Sequence, residues 1–292
     1  MHVLHTAVLA GAVSLACFAS SASALPAGDP PALQKMVQER AGAMVTLKFN
    51  LKNDEGEQES EAPAVVVEPD GLVLVSNRAV GGFAPFAPNV NPTELKVLIG
   101  EDTQGQEATL VARDTELGLA WVKIKSPKGA YAAVDLAQSS TPALGDSLYV
   151  ISLLSRFFDR APAVTEGSIS AVTAKPRRLF VPSLSLAGTD FGVPVFAGDG
   201  KVVGIVTLIL PDQDELSTPG AAQELFRNVP GGKVILPASD VLSATKRAKE
   251  TQAGAEETQS ESGKPATPDA AKPTGDAPAE PKPAAPKPAT PK

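Results

Sequence analysis

Apolar and polar residues alternate along much of the chain with the period of two that a half-buried β-strand requires. Val45, Leu47, Phe49 and Leu51 interleave with Thr46, Lys48 and Asn50. Leu95, Val97 and Ile99 repeat the pattern, and further strands are predicted at 108–112, 119–124, 147–151, 167–172, 178–181 and 202–210. Two runs, Ala64–Val67 and Leu72–Val75, are apolar at every position and are joined by Glu68-Pro69-Asp70-Gly71, a tight-turn sequence. Helical periodicity is confined to Pro31–Arg40 and to Ala238 through about Lys249. Many short strands without alternating helices predict an all-β barrel or sandwich fold. The linker-like stretch Ala130–Leu144 divides the strands into two sets, as two barrels in tandem would require.

The two ends are of different material. Met1–Ala24 has no Asp, Glu, Lys or Arg, and its apolar stretch Ala7–Ala19 is shorter than the ~20 residues that span a bilayer. Ala22-Ser23-Ala24 fits the pattern read by signal peptidase, so residues 1–24 are expected to be a signal peptide and the product to be exported, to a periplasm or the exterior. Cys17 is preceded by Ser14-Leu15-Ala16, a poor lipobox. At the other end, 246–292 contains no aromatic residue and no Leu, Ile or Val. Such a segment cannot bury enough apolar surface to offset its ordering entropy, so 249–292 is expected to be a disordered, partly polyproline-like tail. A folded part at 25–248 remains.

Charge and residue counts then narrow the chemistry. The tail from 246 carries 8 Lys and Arg against 7 Asp and Glu, leaving 18 against 26 in the rest. An acidic folded part argues against nucleic acid as a partner. The only histidines are His2 and His5 and the only cysteine is Cys17. After the expected cleavage no imidazole or thiol is left for catalysis, disulfides or a zinc site, and no metal or other cofactor is expected. No later apolar run approaches transmembrane length.

Five segments in order resemble a trypsin-like serine protease of the HtrA/Do type. Asp70-Gly71-Leu72-Val73-Leu74-Val75-Ser76-Asn77-Arg78-Ala79-Val80 is similar to the family's D-G-L-V-L-T-N-A-H-V-V. Arg113-Asp114 through Leu119-Ala120-Trp121-Val122-Lys123-Ile124 resembles R-D-x-x-x-D-L-A-V-L-K-I, and Val164-Thr165-Glu166-Gly167-Ser168-Ile169-Ser170-Ala171 resembles V-T-x-G-I-V-S-A. Thr189-Asp190-Phe191-Gly192-Val193-Pro194-Val195 followed by Asp199-Gly200-Lys201-Val202-Val203-Gly204-Ile205 is similar to G-N-S-G-G-P-L followed by D-G-x-V-V-G-I. Ile235-Leu236-Pro237-Ala238-Ser239 resembles the last strand and its entry into a terminal helix. The resemblance covers roughly 45–242, with an insertion at 83–92, and implies two six-stranded antiparallel β-barrels with the active-site cleft between them.

In that family a histidine takes the proton from a serine and an aspartate orients the histidine. By the resemblance these roles fall on Arg78, which stays protonated, on Gly118, which has no side chain, and on Phe191, which has no nucleophilic atom. The oxyanion turn is altered as well: Thr189 and Val193 stand where glycines are expected, flanking Asp190 and Gly192. The chain is thus expected to be an exported pseudoprotease that binds a polypeptide or acts as a scaffold. The alternatives are a histidine-free serine hydrolase and a structural envelope protein. A serine–lysine dyad would need Ser183 or Ser185 to meet Lys175 or Lys201. Arg78 is expected to pair with a local acid rather than to hold a ligand carboxylate, Phe191 to plug the vacated nucleophile site, and Trp121 to lie in the core. Gly81-Gly82 and Gly231-Gly232 lack the following Lys-Ser/Thr of a phosphate loop and read as ordinary loops.

Overall fold

The computed structural model describes residues 30–53, 56–81, 90–175, 177–186, 188–208, 229 and 232–262. The expected signal peptide, most of the insertion at 83–92, Gly82, Gly231 and residues 263–292 lie outside them. Among the described residues, twelve strands are bracketed by two helices: α1 (Pro30–Arg40), β1 (Met44–Asn53), β2 (Gly56–Glu68), β3 (Leu72–Ser76), β4 (Thr93–Leu98), β5 (Gln106–Asp114), β6 (Leu119–Ile124), β7 (Ser147–Leu153), β8 (Pro162–Val172), β9 (Phe180–Pro182), β10 (Pro194–Ala197), β11 (Val202–Thr207), β12 (Val234–Pro237) and α2 (Ala238–Ser262). They close into two antiparallel barrels, β1-β2-β3-β6-β5-β4 and β10-β11-β12-β9-β8-β7, as expected from the pattern and the resemblance.

The apolar pattern explains the packing. Val45, Leu47 and Phe49 point into the first barrel with Val73, Val75 and Val122. Leu148, Val150, Phe180, Val195 and Val203 fill the second. A third cluster joins the two, made by the opposite faces of the same strands: Leu72, Leu74 and Trp121 from one barrel, Tyr149, Phe196, Ile205 and Leu236 from the other. β3 lies between two cores, so every one of its residues is buried. A strand covered on both faces reads as a continuous apolar run, which is why Leu72–Val75 does not alternate. Met36 of α1 and Val241, Ala244 and Ala248 of α2 close the same cluster, and the buried Trp121 Nε1 donates to Thr245 Oγ1 at 3.1 Å. Trp121 is core, as expected.

The stretch 130–144 divides the two barrels as expected and is strapped to both: Val134 N–H donates to Val66 O and Ser140 N–H to Val202 O. Two features depart from the sequence reading. β10, four residues long and opening on a proline, carries too little pattern to be predicted as a strand. α2 runs to Ser262, so the extended tail does not begin at 249. Ala, Glu, Gln and Lys are good helix formers, and the first proline past Pro237 is Pro265. No described helix is long and apolar enough to cross a membrane.

Candidate functional site at the barrel seam

Arg78 follows β3 in a turn whose frame is set by one guanidinium. Arg113 Nη1 donates to Asn77 Oδ1 at 2.6 Å, and Nη2 donates to the carbonyls of Val80 at 2.8 Å and Val90 at 3.0 Å. Burial lowers the Arg113 pKa, yet an arginine stays charged under any physiological condition. Asn77 is buried, and its backbone N–H donates to the carbonyl of Gly118 at 2.9 Å, so positions 78 and 118 sit side by side on the first barrel. The side chain of Arg78 is exposed and makes no ion pair among the described residues, contrary to the expected pairing with a local acid.

Gly118 is fitted tightly to the other barrel. Its φ is +68°, and a Cβ built there would lie 2.7 Å from Thr207 Oγ1. Thr207, buried at the end of β11, donates that hydroxyl to Leu117 O at 2.8 Å. The contact locks the two barrels together and leaves no room for a side chain at 118.

The turn carrying Phe191 presses on the same seam. Gly192 has φ +87°, and a Cβ there would meet the backbone nitrogen of Ser76 at 2.7 Å. Its amide donates to Val206 O, and Val206 N–H returns a bond to Val193 O. Thr189 has its amide on Leu186 O at 3.1 Å and its hydroxyl on the same carbonyl at 2.8 Å. The structure thus brings Asn77-Arg78, Gly118 and Phe191-Gly192 to one place between the barrels.

Phe191 is half-buried against the second barrel's core, and the ammonium of Lys233 sits 5.0 Å from its ring centroid. This is cation–π distance. Burial lowers the Lys233 pKa, opposed by the nearby Asp190 carboxylate. Asp190 itself is exposed, and Val193 is buried. Lys233 and Thr207 lie outside the motif segments that lead to Arg78, Gly118 and Phe191, and no local pattern marks either one; Arg113 stands in a motif, but its clamp on the loop needs the tertiary structure.

The serine–lysine pairing does not assemble among the described residues. Ser183 Oγ lies 2.8 Å from Ser185 Oγ and accepts the amide of Ser168, while Lys201 Nζ is held by Asp199 at 3.0 Å. No hydrogen bond joins either serine to Lys175 or Lys201.

The model of the trypsin-like peptidase domain matches residues 62–205. No curated protein matches the sequence. Among solved structures, the crystal structure of Deg5 superposes with a TM-score of 0.51 at 15% identity, covering 73% of this chain and 91% of that one. At that identity the likeness speaks for the fold. Over 62–205 the sequence thus resembles a trypsin-like peptidase domain, and the double-barrel architecture agrees with that fold.

Proposed function

We propose that this chain is an exported pseudoprotease, a trypsin-like double barrel that binds polypeptide in the inter-barrel cleft without cleaving it. The observation that carries the reading is the content of the seam. The place where the resemblance puts base, orienting acid and nucleophile holds a guanidinium, a glycine with no space for a carboxylate, and a phenyl ring under a lysine. General-base catalysis alone contributes ~10²–10⁴-fold, and a covalent route needs a nucleophile. The oxyanion side supports the same reading. An oxyanion hole works by pointing free N–H groups at developing charge, and the Thr189 amide is engaged by Leu186 O.

The purified protein is expected to show no turnover of casein or ester substrates and no labelling by fluorophosphonates, while labelled unfolded casein binds and is recovered intact. The triple variant Arg78→His, Gly118→Asp, Phe191→Ser is expected to stay inactive, because an aspartate at 118 collides with Thr207. Reproducible cleavage by the wild-type chain, lost on changing one serine and one lysine, would overturn the proposal. Export is read separately: the N-terminus of the mature product should be Leu25.

A further inference from the structure

Among the described residues, the hairpin β7–β8 leaves part of one edge unpaired. Leu154 N–H donates to Ala161 O, and Ile169 N–H to Asp146 O, so odd-numbered residues of β8 turn their backbone groups toward β7 and its flanks. Even-numbered residues face the other way. Ser168 confirms the parity: its carbonyl accepts Ser183 N–H at 2.8 Å and its amide donates to Ser183 Oγ at 3.0 Å, both on the β9 side. β9 pairs with β8 only from Ile169 onward. The outward amides and carbonyls of Val164 and Glu166 therefore have no strand beside them among the described residues. Pro162, whose missing donor also faces outward, begins the edge as prolines in edge strands do.

Apolar side chains accompany this edge on the same hairpin. Phe157 is 83% exposed and Phe158 56%, their rings edge-to-face at 5.1 Å, and Leu154 and Val164 are exposed as well. The turn that presents them is strained: Asp159 and Arg160 both have positive φ, near +53° and +51°. It is pinned to the other barrel by Arg160, whose guanidinium meets Glu61 at 3.1 Å. Strain at two consecutive non-glycine residues, held by an inter-barrel ion pair, points to a function for the aromatic tip.

We infer that the free edge of β8 at Val164–Glu166, with Phe157 and Phe158 at its end, is a second polypeptide-binding surface outside the cleft, taking an extended segment with apolar residues and a basic side chain opposite Glu166. An edge of unpaired backbone is complemented by another extended backbone. A second copy of this chain is disfavoured, since antiparallel self-pairing centred on Glu166 sets like charges against each other, on a chain already carrying a net charge of −7.

The test uses the full chain and a fluorescein-labelled decapeptide of alternating valine and lysine, with one of alternating valine and glutamate as its counterpart. Fluorescence anisotropy should show the lysine peptide bound at least tenfold more tightly, and hydrogen exchange should show the Val164 and Glu166 amides protected. Val164→Pro removes one outward donor without touching the β7 ladder or any charge, and should weaken binding about tenfold. Phe157→Ser with Phe158→Ser should do the same, and Glu166→Lys should reverse the peptide preference. Equal binding by wild type and Val164→Pro overturns the inference, as does self-association of the wild type abolished by Val164→Pro. Because no cleft residue is changed, failure here is distinguishable from failure of the cleft-binding proposal.

Discussion

On the first barrel, the turn carrying Arg78 is held from outside by a single side chain, with Arg113 reaching Asn77, Val80 and Val90. On the second, the turn carrying Phe191 holds itself through backbone bonds at Thr189, Gly192 and Val206, and fits the first barrel through a glycine. Both turns are held firmly, although the positions that the resemblance assigns to base and nucleophile are Arg78 and Phe191. A catalytic turn must leave some donors open for a transition state, whereas the Thr189 amide is already engaged. The difference teaches that the second turn satisfies its own Thr189 donor from within, while the first depends on a brace reaching in from another strand.

The contrast can be broken from either side. The largest effect is expected from Gly192→Ala, which puts a side chain on a left-handed backbone and within 2.7 Å of Ser76 N. The loss should exceed about 3 kcal/mol by denaturant unfolding. Arg113→Ala comes next. It removes three charge-assisted bonds and leaves partly buried carbonyls unsatisfied, so a loss of about 2–4 kcal/mol is expected. Arg113→Lys should recover only part, since an ammonium lacks the fork that spans the three acceptors.

The smallest effect sharpens the second wall. Burial lowers the Lys233 pKa, so in the window between its folded and unfolded values the unfolded chain binds more protons. Stability from this group therefore rises with pH through that alkaline window, and its charged form is a small penalty below it. Lys233→Met should flatten the slope and stabilise the protein at neutral pH by well under about 1 kcal/mol, because the group is largely solvated. A steeper slope in the variant would show that the Asp190 attraction outweighs burial.

Much of this molecule is legible in its sequence. Alternation placed β1 and β4, and the short apolar run Leu72–Val75 marked β3. β10 escaped because four residues carry too little period, and β12 was visible only through its resemblance to a family segment. Among the described residues no acid pairs with Arg78: counting nearby acids along the chain says nothing about which way they point. The end of α2 was misplaced because a composition too polar for a core is still fit for a helix.

What the sequence alone determined is chemical inventory and local period. No histidine follows His5, no cysteine follows Cys17, and no arrangement of the chain can supply what its residues lack. What only the tertiary structure decided is adjacency: that Gly118 lies under Thr207, that Lys233 covers Phe191, that Leu186 occupies the Thr189 amide, and that β9 stops short of Val164. These pairs are brought together by barrel closure and by docking of one barrel on the other. Residues far apart in the chain meet there through packing, which leaves no period or spacing in the sequence to be read.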